Sequence, residues 1–362
     1  MHRVLVFGAG KIGSLVGCLL SQRSNYEVHL ADMTLDKPKH LIEDLGLERV
    51  TPCILDVRHP DAVSTYLSTH PVDAIVSSLP YFCNPIVAGL ALTHGLHYFD
   101  LTEDIEVTNQ IRTLSAGADK AFMPQCGLAP GFISIVAHDL MTHFETLETV
   151  KMRVGALPVH PSNVLKYSLT WSTDGLINEY GNVCYGIEEG ERVPLQPLEG
   201  YETIELDGLL YEAFNTSGGL GTLADSYVGK VRTMNYKTLR YPGHCEKIHF
   251  LMKDLKLNED RETLKRVLEH AVPQTLQDVV LIYASVTGTK EGGFFEENCV
   301  KKIYPQCIMG KLWSAIQVTT ASSVCCVMDL LLSCPSQYRG FITQESVLLR
   351  DFLANEFGAC FR

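Results

Sequence analysis

A chain of 362 residues, at roughly 150 residues per domain, has room for two domains and a sizeable core. Apolar residues make up 46% and charged residues 20%, the balance of a globular protein and not of a disordered one. With 30 Lys+Arg against 42 Asp+Glu the formal charge is −12, which argues against nucleic acid or an anionic membrane surface as the main partner, because both need a basic face.

No run reaches about 18 uninterrupted apolar residues, so no membrane span is expected. The longest candidate, Val324 to Leu332, is short and broken by Asp329. The start, MHRVLVFGAG, has no signal-peptide layout. Twelve cysteines fall singly except for Cys325 and Cys326, without a C-x-x-C, which predicts buried free thiols and a cytoplasmic protein.

In sequence order, HRVLVFG, YEVHLAD, VTPCILDV, VDAIVSSLP, LHYFDL and KAFMPQC read as strands. KIGSLVGCLLSQR, PDAVSTYLSTH, PIVAGLALTHG and IEVTNQIRTLSAGAD read as the helices between them. Such alternation predicts an α/β, Rossmann-type doubly wound parallel sheet over residues 1–125. Past about Val150, ETVKMRVGAL, EKIHFLM and VVLIYASVTGT read as strand-like, with hairpin spacing around KEGG. These predict a second α+β domain, residues 126–312, with a mostly antiparallel sheet. The apolar stretch GKLWSAIQVTTASSVCCVMDLLLS predicts a long helix, with residues 313–362 returning to the first domain.

VLVFGAGKIG places Gly8, Gly10 and Gly13 after the first strand and at the head of the first helix. Gly8 permits the tight turn, Gly10 lets backbone approach a pyrophosphate, and Gly13 lets helix pack close to strand. The amides of Lys11, Ile12 and Gly13 supply donors at the positive end of the helix dipole. Asp32, closing the second strand, suits the ribose hydroxyls of NAD and would repel the 2′-phosphate of NADP, which makes NAD the expected cofactor and NADP the alternative. Asp56 and Val57 are placed to border the adenine. Ser77, Ser78, Leu79 and Pro80 are placed along the path to the nicotinamide, with an ordinary strand-end turn as the equal alternative.

These residues, with CGLAPGFISI (126–135), VGALPVHP (154–161), EAFNTSGGLGTL (212–223) and YKTLRYPGHCEK (236–247), resemble the saccharopine dehydrogenase family, nearest its lysine 6-dehydrogenase branch. The resemblance spans roughly residues 1–335. It implies an NAD(P)-dependent oxidoreductase acting on the side-chain carbon–nitrogen bond of a lysine-like amino acid, a small-molecule substrate, with a homodimer as the assembly.

Oxidising an amine needs a hydride acceptor, a base and a carboxylate anchor. His244 and Lys237 are candidate bases, and Asp100, with Glu103, is a candidate holder of the cationic amine. Arg240 is the candidate anchor, because its planar fork pairs a carboxylate through two hydrogen bonds. Lys166, Thr216, Ser217 and Gly218 are candidate substrate contacts, and Tyr167, Trp171 and Tyr241 candidate walls. Gly127, Pro130 and Gly131 would shape the floor under the nicotinamide. Bland readings stand beside these: a lone histidine is more often a satisfied structural one, and a lone arginine a solvated ion pair. His94 and His97 lack a third ligand, Cys126 lacks an activating neighbour, and no metal is implied. The alternatives to lysine deamination are a saccharopine dehydrogenase, which needs more cations for its extra carboxylates, and a non-catalytic NAD-binding sensor.

Overall fold

The computed structural model describes residues 1–362. Its elements begin with β1 (His2–Phe7), α1 (Lys11–Ser21), β2 (Tyr26–Asp32), α2 (Asp36–Leu45), β3 (Val50–Ile54), α3 (Pro60–Thr69), β4 (Ala74–Ser77), α4 (Asn84–Thr93), β5 (His97–Asp100), α5 (Ile105–Leu114) and β6 (Ala121–Met123). There follow α6 (Phe132–Met141), β7 (Thr146–Pro158), α7 (Thr173–Gly181), β8 (Cys184–Glu188), β9 (Glu191–Leu195), β10 (Glu202–Leu206), β11 (Leu209–Asn215), α8 (Leu223–Tyr227), β12 (Val231–Arg240), α9 (His244–His249) and α10 (Arg261–Ala271). The last elements are β13 (Asp278–Lys290), β14 (Gly293–Ile303), β15 (Gln306–Ile308), β16 (Lys311–Trp313), α11 (Ala315–Ser333), β17 (Gly340–Phe341) and α12 (Leu349–Ala354).

Two units emerge. The first comprises Met1–Leu128, Cys307–Lys311 and Gln317–Arg362, and the second Ala129–Gln306 and Leu312–Ile316.

The first unit holds a seven-stranded parallel sheet in the order β17-β6-β5-β4-β1-β2-β3. Central β1 is an unbroken apolar run from Val4 to Phe7, buried throughout, as a strand covered on both faces must be. Strand order reverses between β1 and β4, and ligands of doubly wound sheets bind at that switch, outside the carboxyl ends of the strands. The turns after β1 and β4 therefore carry the site. α2, absent from the sequence reading, packs through Pro38 and Leu41 with Ile42 and Leu45 half-buried beside them, a short stripe among six exposed positions. β17 is a two-residue edge strand, too short for a periodic signal.

α11 is the long apolar helix expected within GKLWSAIQVTTASSVCCVMDLLLS. It is 19 residues long and apolar enough to span a bilayer by length and composition. In the fold Val318, Ala321, Val324, Cys325, Val327, Met328 and Leu331 are buried inside the protein, so the helix is apolar all round because it is a core helix. All twelve cysteines are free.

The second unit holds a mixed eight-stranded sheet, β10-β11-β12-β7-β13-β14, with β8 joining β12 and β9. Only β12 and β7 run parallel; the other pairs are antiparallel. Alternation of side chains along the strands divides this sheet into two environments. One face, with Phe214, packs against Tyr167, Leu176, Tyr180, Cys245, Ile248 and Leu264. The other carries Leu157, Tyr211, Ala213, Leu239 and Leu281. The stretch EKIHFLM, expected as a strand, is instead α9 and one wider helical turn, Phe250–Asp254. Cys245, Ile248 and Met252 are its buried positions, a spacing of three and four.

Candidate functional sites

The glycine loop is shaped by three contacts. Gly8 sits at φ +91°, a region open to glycine. A Cβ on Gly13 would lie 1.8 Å from the Gly8 carbonyl oxygen, so α1 can start against β1 only with glycine there. Gly10 has an ordinary φ of −80° and open space where its Cβ would stand, and the start of α1 lacks a capping side chain. A close backbone surface facing space, at an uncapped helix N-terminus, fits a dinucleotide pyrophosphate. The Lys11 carbonyl accepts from the Gln317 amide (3.1 Å), which holds the helix start from the side of α11.

Asp32 is fastened in place, its Oδ2 accepting from the Ala9 amide (2.9 Å) and its Oδ1 from the Met33 amide (2.8 Å). Each oxygen keeps a lone pair for a ribose hydroxyl. Ser78 donates to the Phe7 and Gly8 carbonyls (2.9 Å each), so its hydroxyl clamps the loop. Leu79 abuts Gly8, and Pro80 is exposed.

Three candidates in this unit are corrected. Ser77 is buried and donates to Asn84 Oδ1 (2.7 Å), tying β4 to α4 and facing no ligand path. Val57 belongs to the core with Phe7 and Ala31, leaving its neighbour Arg58 as the exposed side chain at the end of β3. Asp100 is wholly buried: Oδ2 accepts from Tyr98 Oη (2.6 Å), and Oδ1 from the amides of Thr102 (2.9 Å) and Gln125 (3.0 Å). Burial raises its pKa to about 6 against the pull of those donors. It is a clasp at the strand end and offers a cationic amine no free oxygen surface. Cys126 is buried with its thiol on the Met123 carbonyl and burial pushes its pKa up, as for a packing residue. Glu103 is partly buried beyond β5. His94 meets Ser64 Oγ (3.1 Å), while His97 Nδ1 accepts from the Ala121 amide (3.1 Å).

In the second unit Arg240 ends β12 and is 3% exposed. Its Nε donates to Tyr180 Oη (2.8 Å) and its Nη1 to the Leu239 carbonyl (2.8 Å). The guanidinium lies over the Tyr167 ring at 5.0 Å and the Tyr180 ring at 5.6 Å. Burial opposes its charge, but the phenols and the buried Glu179 carboxylate outweigh that and shift its pKa upward. Thr216 is buried with its hydroxyl unpartnered. Ser217 spends its hydroxyl on the Asn178 carbonyl (3.1 Å) and its amide on the Glu179 carbonyl (2.9 Å). Gly218 turns the backbone at φ +84°, and Gly219 rests on the Tyr236 ring, which a Cβ would meet at 2.2 Å. Arg240, Tyr167, Thr216 and Glu179 are the buried polar and aromatic groups here with chemistry to offer. Glu179 has no local signal in the sequence that distinguishes it from a surface glutamate.

His244 is 1% exposed and its Nδ1 lies 2.8 Å from the Leu165 carbonyl, which only accepts. Nδ1 therefore carries the proton, and Nε2 accepts from Tyr180 Oη at 3.0 Å. Tyr180 in turn accepts from Arg240. Both nitrogens are spent inside the fold, so the catalytic-base reading is corrected: His244 positions Tyr180 and, through it, Arg240. Burial, then the Arg240 charge, hold its pKa down to about 3.

That assignment has a pH consequence. The native pKa lies below the ordinary 6.5, so as pH falls the unfolded protein takes up this proton first. Stability conferred by neutral His244 is present above 6.5 and is lost as pH falls toward 3. Denaturant titrations at pH values across that window should show a flatter acid-side fall for His244→Gln than for the parent. An undiminished fall would contradict the assignment.

Lys237 is also corrected. Three residues from Arg240 along one strand, it points to the opposite face of the sheet. There its Nζ donates to Glu202 Oε2 (2.9 Å), whose other oxygen accepts from the buried Arg153 Nε (2.5 Å). Burial lowers its pKa while Glu202 restores part of the shift. Tyr241 shares that other face, stacked on Tyr211 and donating to the Pro158 carbonyl (3.0 Å), and so is no wall to Arg240. Lys166 is exposed and held by the Pro242 carbonyl (3.1 Å). Trp171 donates its indole N–H to Tyr167 Oη (3.2 Å). Glu212, first residue of EAFNTSGGLGTL but given no role there, caps α9 by accepting from the Gly243 (2.6 Å) and Cys245 (2.5 Å) amides. Pro130 follows a cis peptide and Gly131 sits at φ +136° ahead of α6.

Family models divide the chain between residues 122 and 127, close to the first boundary between the units at Leu128. The model of the saccharopine dehydrogenase NADP binding domain matches residues 4–122, and that of the saccharopine dehydrogenase C-terminal domain residues 127–357. The NADP(+), L-glutamate-forming saccharopine dehydrogenase of Schizosaccharomyces pombe is 23% identical over 268 residues, 70% of this chain and 57% of that one. The mitochondrial alpha-aminoadipic semialdehyde synthase of Rattus norvegicus is 22% identical over 298 residues, 77% of this chain but 31% of that one. The protein thus aligns with a little over half of the first relative and under a third of the second. The solved saccharopine dehydrogenase (L-Glu forming) of Saccharomyces cerevisiae superposes with a TM-score of 0.76 at 18% identity, covering 95% of this chain and 94% of that one. With both family models matched across nearly its whole length, the protein belongs to the saccharopine dehydrogenase family.

Proposed function

We propose that this protein oxidises the carbon–nitrogen bond in the side chain of a lysine-like amino acid and deaminates it to the semialdehyde. Oxidation sends a hydride from the carbon and a proton from the nitrogen; the resulting iminium takes up water and loses ammonia. A bound dinucleotide supplies the hydride acceptor. Arg240 takes the α-carboxylate through its fork, Glu179 balances the α-ammonium, and Thr216 contributes its unspent hydroxyl.

The observation that carries this reading is the charge on one sheet face: a single buried guanidinium, Arg240, with the buried Glu179 carboxylate acting on it, while the Glu212 carboxylate opposite Arg240 is taken by the Gly243 and Cys245 amides. Of the other two basic candidates, Lys166 is exposed, and Lys237 lies on the opposite face, where it shares Glu202 with Arg153. One cation and one anion suit an amino acid's α-carbon. A substrate joining lysine to a dicarboxylate brings further carboxylates that need further cations. The names of the matched relatives favour a second reading, saccharopine oxidation, on this same frame.

Formation of reduced nicotinamide should be followed with the full-length protein and NAD or NADP, against lysine, ornithine and saccharopine in parallel. Turnover with lysine and no keto acid is expected. Turnover with saccharopine alone would establish the second reading. Dinucleotide binding without turnover on any amine would point to a sensor.

A further inference from the structure

Beyond the carboxyl end of β3, Asp56 is followed by the core residue Val57 and then by Arg58, which the sequence reading does not single out. Arg58 wraps back onto Asp56. Its Nε lies 3.0 Å from both carboxylate oxygens, its Nη2 2.6 Å from Oδ2, and its amide 2.9 Å from Oδ1. The same Nη2 reaches Met33 Sδ at 3.4 Å, across from β3 to the residue that follows Asp32. The Arg58 side chain is 70% exposed and Met33 60% exposed, although both are large groups with flat or soft surfaces. A guanidinium pinned flat by a carboxylate, beside a thioether, makes a platform on which a planar base can stack.

We propose that Asp56, Arg58 and Met33 form the adenine platform of the dinucleotide site, and that Asp56 makes it selective for NAD by occupying the Arg58 charge. Free, Arg58 would be a cation beside Met33, next to Asp32, and would welcome a 2′-phosphate. Chelated, it presents its face and not its donors, so the 2′-phosphate meets the Asp32 carboxylate without a compensating cation. The inference rests on the reading that the glycine loop holds a dinucleotide, and the binding measurement separates the two.

Equilibrium binding of NADH and NADPH to the full-length protein, read by fluorescence, tests it without turnover. The parent should bind NADH about tenfold tighter than NADPH or better, a difference the size of one charge-assisted contact. Asp56→Asn, which frees Arg58, should shift the ratio about tenfold toward NADPH, and adding Arg58→Ala to it should reverse the shift. Arg58→Ala alone should weaken both dinucleotides alike, by about three- to tenfold, through loss of stacking. Tighter binding of NADPH by the parent, or a ratio unmoved by Asp56→Asn, overturns the proposal while leaving the dinucleotide site standing. Binding of neither dinucleotide by the parent overturns both.

Discussion

Arg240→Ala should lower kcat/KM for the amino-acid substrate by about two to three orders of magnitude, with the fold retained. Truncating a buried, hydrogen-bonded charge costs about 2–5 kcal/mol where its partner depends on it, and each 1.4 kcal/mol is about tenfold. Arg240 holds two hydrogen bonds and two aromatic faces while remaining charged, so the side chain is already in position when a carboxylate arrives. Pre-positioning of this kind removes the entropy cost of ordering a long side chain on binding. The loss should fall mainly on KM, because an anchor far from the reacting carbon grips ground state and transition state alike. Arg240→Lys should not restore activity, since an ammonium cannot reproduce the fork while also reaching Tyr180. Steady-state kinetics beside circular dichroism decides the matter. Near-parental KM in Arg240→Ala would remove Arg240 from the site.

Gly13→Ala should abolish measurable dinucleotide binding and destabilise the first unit. The added methyl would stand 1.8 Å from the Gly8 carbonyl oxygen and 2.4 Å from Ser78 Oγ. The serine can turn away only by surrendering its bonds to Phe7 and Gly8, and the carbonyl is backbone. α1 must therefore move off β1, at a cost of about 1–3 kcal/mol by the precedent of overpacked cores. The amides meant for the pyrophosphate move with it, and displacement by about 1 Å is enough for losses of 10²-fold. Gly10→Ala is the informative contrast. Its methyl points into open space, so thermal stability should stay at the parental value while dinucleotide affinity falls. Equal stability losses in the two variants would mean that Gly10 is structural and that the pyrophosphate lies elsewhere.

The parallel sheet is legible in the sequence because short apolar strands alternate with helical stretches, and Gly8 and Gly13 sit where only glycine fits. The second unit is harder, for reasons visible in single residues. Lys237 and Arg240 look like neighbours in YKTLR, yet a period of two sends them to opposite faces, and only the strand assignment makes that parity meaningful. EKIHFLM carries β-prone residues, but Gly243 at φ +91° and the Glu212 carboxylate begin a helix there. Glu212 lies 31 residues before Gly243, beyond any local pattern. His244 looks catalytic by type. Its role follows from Leu165 and Tyr180, both distant in sequence, which consume its two nitrogens. Asp100 misleads for the related reason that a carboxylate's chemistry depends on burial, and burial is a property of the packed sheet. D-x-R at a strand end is a signal for Arg58, but its meeting with Met33 requires the β2–β3 register.

In the proposed reaction nitrogen leaves the side chain of a lysine-like substrate without a keto acid taking part. Lysine carrying an isotopic label at its side-chain nitrogen, incubated with the full-length protein and NAD alone, tests this directly by mass analysis of the products. The account predicts labelled ammonium in step with reduced nicotinamide. Unchanged lysine, while saccharopine with the same label is oxidised and cleaved, would contradict it.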